Sequence, residues 1–352
     1  MTMRYPRNSA VIGKPSLLRS SFFMSQALFS EHLINFMLLH GSVFRERYMT
    51  AAKVLSSMSL RVTRFKNLLF AKYNAQIGVF AVEFKSSVGL GAKLEWCLEI
   101  IAYCDDHGLI PQIKFSFPNS DESDDHFGCF FRINGAVDNS NLPRFIKVSS
   151  IAELNLGKEY DRLLNIELAS LLINKYLVVR EEIVSEVDEF CFEHFANRTI
   201  LGVHYRGTDK GEESPIVPYD RVTRNIEHYI KLHADTDGVF VASDDVNFIE
   251  YIEKASLSRP ILYRNDSYRA RDGKSIHKSA ITDKYEITRD ALVNCLLLSR
   301  CDALLKTASI LSAWSKLFSP RLPVVMLNRP YGEFQWFPER DLLDNTYFKP
   351  IN

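Results

Sequence analysis

The sequence lacks long apolar runs and an overall charge, and each absence excludes a class of protein. Its best apolar stretch, residues 33–39, is far shorter than the roughly 18–20 residues that a membrane-spanning helix needs. We also expect no cleavable signal at the start of the chain. The 43 basic and 43 acidic residues cancel, which argues against a nucleic-acid-binding protein with a global basic field.

Paired cysteines are also lacking. The chain has no Cys-x-x-Cys pair. Several cysteines fall on apolar helical faces, where free cysteine behaves as a small hydrophobic residue. We therefore interpret all six as reduced core residues: Cys97, Cys104, Cys129, Cys191, Cys295 and Cys301.

The 352 residues, 46% of them hydrophobic, provide material for about two domains. Positive charge is concentrated in residues 1–75, where eleven Lys and Arg face two acidic residues. In this segment Met58, Val62, Phe65 and Leu69 repeat at helical spacing. Two interpretations stay open: a helix on an anionic membrane surface, or a helix that packs its apolar stripe on its own domain.

A rhythm of strands and helices begins near residue 76. The pattern predicts a strand at residues 77–84, a helix at 92–107 and a strand at 110–117, which together form a β-loop-α-β unit. The loop of this unit contains Gly89 and Gly91, and such a loop lets backbone approach a ligand at a helix start. A plain tight turn is the alternative interpretation.

The alternation becomes regular from residue 200. Before it lie an acidic loop at residues 121–125, which is either a metal site or simply solvated, and predicted helices at 160–176 and 181–195. The predicted strands cover residues 200–204, 239–242, 261–263, 303–306 and 324–327, with helices at 219–233, 246–255, 285–300 and 310–318. This order predicts a second doubly wound domain.

Polar residues follow three of these strands, at the sheet edge where ligands bind in open α/β folds. The three groups are His204 to Lys210, Ser243 to Asp245, and Thr307 to Ser309. Arg206 can form bidentate hydrogen bonds to a phosphate. Ser309 stands at a helix start, where hydroxyl and backbone N–H groups would hold an anion. These groups predict a diphosphate site; the alternative is that Arg206 pairs with Asp209 or Asp244 and that Ser309 only caps its helix.

The segment His204-Tyr-Arg-Gly-Thr-Asp-Lys210 resembles the His-x-Arg-x-Thr-Asp-Lys motif of α1,6-fucosyltransferases and nodulation fucosyltransferases, a branch of the GDP-fucose-dependent superfamily. Three other segments resemble motifs of that superfamily in the same order, and the resemblance extends over residues 76–330. These segments are the glycine loop, the strand-end pair Asp244-Asp245, and the Leu-Ser-x-x-Asp and Thr-x-Ser motifs between Leu297 and Ser309.

The resemblance implies a GT-B fold, in which two Rossmann-like domains face a central cleft, and an inverting, metal-independent transfer of L-fucose from GDP-fucose. Arg206 would then grip the β-phosphate and neutralise the leaving GDP, because fixed donors stabilise the charge that develops there. The other donor-binding residues that it implies are His204, Asp209, Asp244, Asp245, Asp290, Asn294, Thr307, Ser309, Gly89 and Gly91.

The chain departs from the α1,6 branch at two of these positions. Gly207 stands where those enzymes have a second arginine, and Asn294 stands where they have an aspartate. An amide oxygen can still accept a hydrogen bond from guanine, and Asp290, one helical turn earlier, is a possible substitute.

An inverting transfer needs a group that takes the proton of the acceptor hydroxyl. The loop after the motif is shorter than in the α1,6 branch, so Glu212 and Glu213 compete for this role. We choose Glu213, with Lys210 as its charge partner.

A basic and aromatic loop at residues 264–278 is longer than a connection needs to be. Long loops beside a site are often lids, so we expect this one to close over the diphosphate; a mobile surface loop is the alternative. Trp336 is a candidate for stacking on sugars, whereas Trp314 lies in a helical run and is expected in the core.

The sequence therefore predicts an α/β protein in three parts: a basic extension at residues 1–75, an acceptor-side Rossmann-like domain at 76–198 and a GDP-sugar-binding domain at 199–352. We expect a fucosyltransferase that acts on a glycan acceptor without a nucleic-acid partner or a metal, in the cytoplasm or peripherally on an anionic membrane. The alternatives are use of another nucleotide sugar, or a non-catalytic relative that binds a glycan or a protein.

Overall fold

The computed structural model of the chain describes residues 67, 69–71, 74–116, 125–135, 143–207, 210–271 and 283–344. The chain divides into two compact units, Met1–Phe70 and Ala71–Asn352. The fold described below is that of the second unit. The predicted apolar stripe at Met58, Val62 and Phe65 lies outside the described residues.

The first sheet confirms the predicted β-loop-α-β unit. Strand β1 (Val79–Lys85) leads through the glycine loop into helix α1 (Leu90–His107), and strand β2 (Ile110–Ser116) returns parallel to β1. A third parallel strand, β4 (Ile146–Val148), pairs with the other edge of β1. β1 is buried along almost its whole length, as a central strand with both faces covered should be.

Short elements connect the first sheet to the second. Strands β3 (Phe131–Ile133) and β5 (Leu177–Val179) form an antiparallel pair. The helix predicted at residues 160–176 is broken in two, because the Asn165 side chain accepts a hydrogen bond from the amide of Leu168 and so caps a new helix. The helices here are α2 (Tyr160–Leu163), α3 (Ile166–Tyr176) and α4 (Glu181–His194).

The second sheet is fully parallel, and its strand order is β8-β7-β6-β9-β10. The strands are β6 (Ile200–Tyr205), β7 (Gly238–Ser243), β8 (Ile261–Leu262), β9 (Ala303–Lys306) and β10 (Val324–Met326). The helices are α5 (Tyr219–Leu232), α6 (Val246–Lys254), α7 (Lys284–Ser299), α8 (Ile310–Phe318) and α9 (Glu339–Asp344). From β6 the chain adds β7 and β8 on one side of the sheet and then β9 and β10 on the other side. This order confirms the doubly wound prediction.

Four of the six cysteines lie in the core as predicted, and all six are free. Cys301 shows how tight the packing is: a Cβ on Gly202 of β6 would lie 3.1 Å from its sulfur. The prediction is wrong for Cys129, which is exposed, and for Cys191, which is half-buried.

Both sheets belong to the single unit Ala71–Asn352, and helix α8 is the element that joins them. It packs on α7 of the second half and on α1 and α3 of the first, and the Ser170 hydroxyl of α3 donates to the carbonyl of Leu317. The division at residue 199 separates the two sheets along the chain, but as a domain boundary it stays a prediction. Among the described residues, no helix is long and apolar enough to cross a membrane.

Candidate functional site

A cavity of about 400 Å³ lies between the carboxyl ends of the second sheet and the start of α1. Its lining includes the glycine loop of the first half and the strand ends and helix starts of the second. The two Rossmann-like sheets therefore face one cleft, and the predicted GT-B architecture is confirmed. The predicted site residues in the lining are Gly89, Gly91, His204, Arg206, Glu213, Asp244, Asp290, Asn294 and Ser309.

The sheet reverses its strand order between β6 and β9, and ligands of doubly wound folds bind outside the strands at such a switch point. Here the two strand ends are tied together. The amide of Arg206 donates to Thr307 Oγ1 at 2.8 Å, and the amide of Thr307 donates to the carbonyl of His204 at 3.0 Å. Thr307 is buried and outside the cavity lining. Thr307 thus holds the backbone of Arg206, and its contact with the diphosphate stays a prediction.

Asp244 fixes the side chain of Arg206. Its carboxylate lies 2.9 Å from Arg206 Nη1 and accepts a hydrogen bond from the amide of Gly207 at 3.1 Å. The internal pairing that was the alternative to a ligand site is therefore present, yet both residues line the cavity. The guanidinium of Arg206, a planar group with five N–H donors, therefore lies in the wall of the cavity.

Gly207 has a steric reason for being glycine. A Cβ at this position would lie 2.7 Å from the ring of Tyr205 and 2.8 Å from Cβ of Asp245. Atoms cannot approach so closely without a backbone shift. The packing below the strand end therefore leaves no room at residue 207 for the second arginine of the α1,6 branch.

Asp245 is buried beneath the site rather than in its lining. One carboxylate oxygen accepts the amide of Asn247 at 2.9 Å, which caps α6, and the other accepts the Tyr219 hydroxyl at 2.6 Å. Burial, with the hydrogen bond to Asp245, raises the pKa of Tyr219. Both carboxylate oxygens of Asp245 therefore have protein donors, and its contact with the donor stays a prediction.

We expected backbone amides at Ser309, at the start of α8, to hold an anion, but in the structure these amides donate to side chains of the protein. The amide of Ser309 donates to Glu339 Oε1 at 2.5 Å, and that of Ala308 donates to Asn328 Oδ1 at 2.7 Å. Glu339 also pairs with Lys306, whose side chain is 0% exposed. Ser309 does line the cavity, and its side chain makes no capping hydrogen bond.

The next amides of α8 are those of Ile310 and Leu311. Both residues line the cavity, and the first amides of a helix have no acceptor within the helix. A Cβ on Gly91 would lie 3.2 Å from the nitrogen of Leu311. Gly91 therefore allows the starts of α1 and α8 to meet, whereas a Cβ on Gly89 would touch no described atom within 4 Å.

Asp290 and Asn294 lie one turn apart on α7. Asp290 accepts hydrogen bonds from Arg264 at 2.9 Å, from the Ser267 hydroxyl at 2.9 Å and from the Tyr268 amide at 3.1 Å. Burial raises the pKa of Asp290, and the charge of Arg264 opposes that shift. Asn294 Nδ2 donates to Asp290 Oδ1 at 3.0 Å. Asp290 thus supports Asn294 instead of substituting for it, and the amide oxygen of Asn294 is the group it can offer a ligand.

Of the two competing glutamates, Glu213 lines the cavity, and Glu212 is exposed in the short turn Lys210–Glu212. The carbonyl of Glu213 accepts the amide of Tyr331 at 2.9 Å, which fixes its backbone. Asp209 and the side chain of Lys210 lie outside the described residues, and so does the predicted pairing of Lys210 with Glu213.

The first part of the predicted lid is anchored. The amide of Ala270 donates to the carbonyl of Asp244 at 2.8 Å, and Arg271 pairs with Glu250 at 2.6 Å. Tyr268 lines the cavity, as does Trp336, which is 39% exposed, whereas Trp314 is buried as expected. The rest of the loop, residues 272–278, lies outside the described residues.

Sequence reasoning missed two lysines in the lining, Lys93 of α1 and Lys284 of α7. Burial, and to a lesser degree the charge of Lys284, lowers the pKa of Lys93 to about 8. A signal was present: both lysines stand in the first turn of a helix, where positive charge is unfavourable. In the part of the chain that the structure describes, no cluster of three or more His, Cys, Asp or Glu side chains could hold a metal ion.

Comparisons with known proteins give one family-model match and several similar solved structures. Residues 167–340 match the family model "Nodulation protein Z (NodZ)". The structure of the fucosyltransferase NodZ from Bradyrhizobium is 15% identical in sequence, covers 70% of this chain and 94% of its own, and has a TM-score of 0.44. The structure of POFUT1 in complex with GDP is 10% identical, covers 70% of this chain and 98% of its own, and has a TM-score of 0.41. No curated protein matches the sequence.

Proposed function

We propose that this chain is a member of the superfamily of GDP-fucose-dependent fucosyltransferases and transfers L-fucose from GDP-fucose to a hydroxyl group of a glycan acceptor with inversion at the anomeric carbon. The observation that carries the proposal is the position of Arg206. It lies at the switch point of the second sheet, beside the first amides of α8. A cation and helix N–H groups in one cavity suit a diphosphate.

The chemistry follows from where charge develops. When the bond between the anomeric carbon and the β-phosphate oxygen breaks, negative charge accumulates on the leaving GDP. The guanidinium of Arg206, held by Asp244 at 2.9 Å, and the amides of Ile310 and Leu311 would stabilise that charge without reorganising. The amide oxygen of Asn294 would accept a hydrogen bond from guanine.

Glu213 is the proposed base. The acceptor hydroxyl attacks the anomeric carbon from the face opposite the diphosphate, which inverts the configuration, and Glu213 takes the proton as the new bond forms. The leaving-group charge is met by Arg206 and helix N–H groups, so we propose that turnover needs no divalent metal. Full activity after exhaustive EDTA treatment is expected, and activity that returns only with added metal would contradict the proposal.

The decisive measurement is release of GDP from GDP-fucose by the wild type and by Arg206→Ala and Arg206→Lys. Loss of the fork that binds phosphate in the transition state should lower the rate by about 100-fold or more in Arg206→Ala, and Arg206→Lys should recover only part of it. Equal rates for the wild type and Arg206→Ala would overturn the assignment. A thermal-shift panel of GDP-fucose, GDP-mannose and UDP-sugars tests the choice of donor in the same preparation.

We further propose that the basic segment at residues 1–75 attaches a cytoplasmic enzyme to anionic membrane surfaces. The excess of nine positive charges in this segment supports the proposal, since basic residues near a surface favour binding to anionic lipids. The full chain should sediment with vesicles that contain phosphatidylserine and should be released by high salt. Equal binding to neutral vesicles would contradict it.

A further inference from the structure

Two large aromatic side chains, Tyr268 and Trp336, line the cavity. Tyr268 belongs to the nucleotide side, because its amide donates to Asp290 Oδ2 at 3.1 Å. Trp336 lies in the loop between β10 and α9, and the donor site described above assigns it no role. It is 39% exposed, whereas the next residue, Phe337, is 0% exposed and belongs to the core. The loop is therefore anchored by Phe337 and presents the tryptophan at the cavity wall.

Contacts within the loop hold the Trp336 ring in place. Residues Gly332–Phe334 form a single 3₁₀ turn, and the Phe334 ring meets the Trp336 ring edge-on, with 5.5 Å between the ring centres. The carbonyl of Trp336 accepts the amide of Arg340 at 2.9 Å, at the start of α9. An aromatic ring that is already fixed in position binds a ligand at a low cost in conformational entropy.

The same loop is hydrogen-bonded to the segment that carries Glu213. The amide of Tyr331 donates to the carbonyl of Glu213 at 2.9 Å. Asn328 Nδ2 donates to the carbonyl of Pro215 at 2.7 Å, and Asn328 Oδ1 accepts the amide of Ala308 at 2.7 Å. The proposed base and the tryptophan therefore lie on two segments that are joined to each other and to the residues before α8.

The apolar surface of these two segments continues outside the cavity lining. Ile216 is 69% exposed and Tyr331 is 43% exposed. Exposed apolar side chains grouped beside a polar cleft mark a place where a ligand binds. A suitable ligand offers an apolar face together with hydroxyl groups. A pyranose ring does so, because its axial C–H bonds form a face that packs on an aromatic ring while its hydroxyls stay at the edge.

We propose that Trp336 is the platform on which a pyranose ring of the acceptor glycan stacks, so that a hydroxyl group at the edge of that ring meets the carboxylate of Glu213. The proposal rests on the proposed function, because it assigns the acceptor subsite of the same transferase. Arg206 and Asn294 line the part of the cavity that is assigned to the nucleotide. The acceptor is thus recognised in part by the half of the fold that binds the donor, through the loop before α9.

The experiment is saturation-transfer-difference NMR, which shows which protons of a sugar contact the protein. The full chain is mixed with methyl β-glucopyranoside, methyl β-galactopyranoside, cellobiose or lactose, and with the open-chain polyol sorbitol, which has no ring face. The variants are Trp336→Ala and Trp336→Phe. Phe192→Ala is the matched control, because Phe192 is an aromatic residue, 81% exposed, outside the cavity lining. Melting temperatures confirm that each variant is folded.

The wild type should give its strongest signals at the axial C–H protons of one ring face, and sorbitol should give none. Trp336→Ala should bind the sugars about tenfold more weakly and lose this pattern, since the stacking contact is removed. Trp336→Phe should keep the pattern with part of the affinity, and Phe192→Ala should behave as the wild type. Saturating GDP or GDP-fucose should leave the wild-type signals in place, because the donor occupies the nucleotide part of the cavity.

The platform is overturned if the wild type gives no signal with any pyranose, if sorbitol gives equal signals, or if Trp336→Ala keeps the pattern and affinity of the wild type. Displacement of the sugar by GDP or by GDP-fucose would put Trp336 in the donor site and would also overturn the assignment. Failure of the proposed function is a separate result: the wild type would neither bind GDP nor release it from GDP-fucose, whereas the sugar signals are first recorded without nucleotide.

Discussion

Gly207 links the packing below the second sheet to the chemistry above it. A methyl group at this position would press on the Tyr205 ring and on Asp245, and the backbone would have to move. The amide of Gly207 is also one of the donors that fix Asp244, the partner of Arg206. A small steric change here should therefore reach the guanidinium.

We expect Gly207→Ala to lower the free energy of unfolding by about 1–3 kcal/mol, as overpacking does in a tight site, and to weaken GDP binding by about tenfold through displacement of Arg206. Thermal melts and calorimetric titration with GDP measure the two effects. Gly332→Ala is the control: a Cβ there meets no described atom within 4 Å, its φ is not positive, and it lies outside the cavity lining. If Gly207→Ala melts and binds GDP like Gly332→Ala, the steric account of Gly207 is wrong.

At the residue scale, the sequence predicted which side chains converge but not what each one does. The apolar pattern of the sequence shows where strand β6 ends. Three predicted residues lie at or after that end and line the cavity: His204, Arg206 and Glu213. The roles of Asp245 and Thr307 depend on partners far along the chain, and no local pattern shows such partners. Glu339 is another such partner: it accepts the hydrogen bond of the Ser309 amide, although the two residues are 30 positions apart in the sequence.

At the element scale, helix α1 carries a carboxyl pair that the mechanism does not use. Burial raises the pKa of Glu95 to about 8, with smaller contributions from Glu99 and Asp161, while Arg340 acts in the opposite sense. Burial also raises the pKa of Glu99 to about 7, with Asp161 adding to the shift and a hydrogen bond from its backbone opposing it. The pair therefore faces α2 and α9 in its protonated form at mildly acidic pH.

The sign of the effect on stability follows from these directions. A carboxyl group with a raised pKa in the folded state stabilises the fold most below the pKa of the unfolded chain, and this stability is lost as pH rises through about 7 to 8. We expect Glu95→Gln to raise the free energy of unfolding at pH 8.5 by on the order of 1–2 kcal/mol and to change it little at pH 5. Melts across pH 5–8.5 test this, with the exposed Glu189→Gln as control. A pH profile of Glu95→Gln parallel to that of the wild type would contradict it.

The elements themselves were largely readable from the sequence, because long amphipathic or apolar segments have a clear period. The exceptions have local causes. Asn165 ends one helix and caps another within the predicted helix at residues 160–176. Strands β3, β4 and β5 have three residues each, too few for an alternation to show.

At the scale of the whole unit, the sequence predicted two Rossmann-like halves, and the structure adds how they are joined. Helix α8 begins at the cavity, meets α1 where Gly91 permits close approach, and receives the hydroxyl of Ser170 near its other end. Contacts between distant segments of this kind leave no pattern in a single sequence. From these contacts we expect the two halves to unfold as one unit.

Two tryptophans report the halves separately. Trp96 lies on α1 with its ring centre 5.1 Å from that of Phe84, and Trp314 lies on α8 with 1% of its surface exposed. Variants that keep one of them are made by replacing the other and Trp336 with phenylalanine. Because α8 belongs to both interfaces, we expect each variant to lose its tryptophan fluorescence signal at the same urea concentration as its helical circular-dichroism signal. Comparing the two signals within one variant removes any difference in stability between the variants. Coincident transitions are the signature of one cooperative unit. A Trp96 transition that precedes loss of the second sheet would show instead that the halves unfold separately.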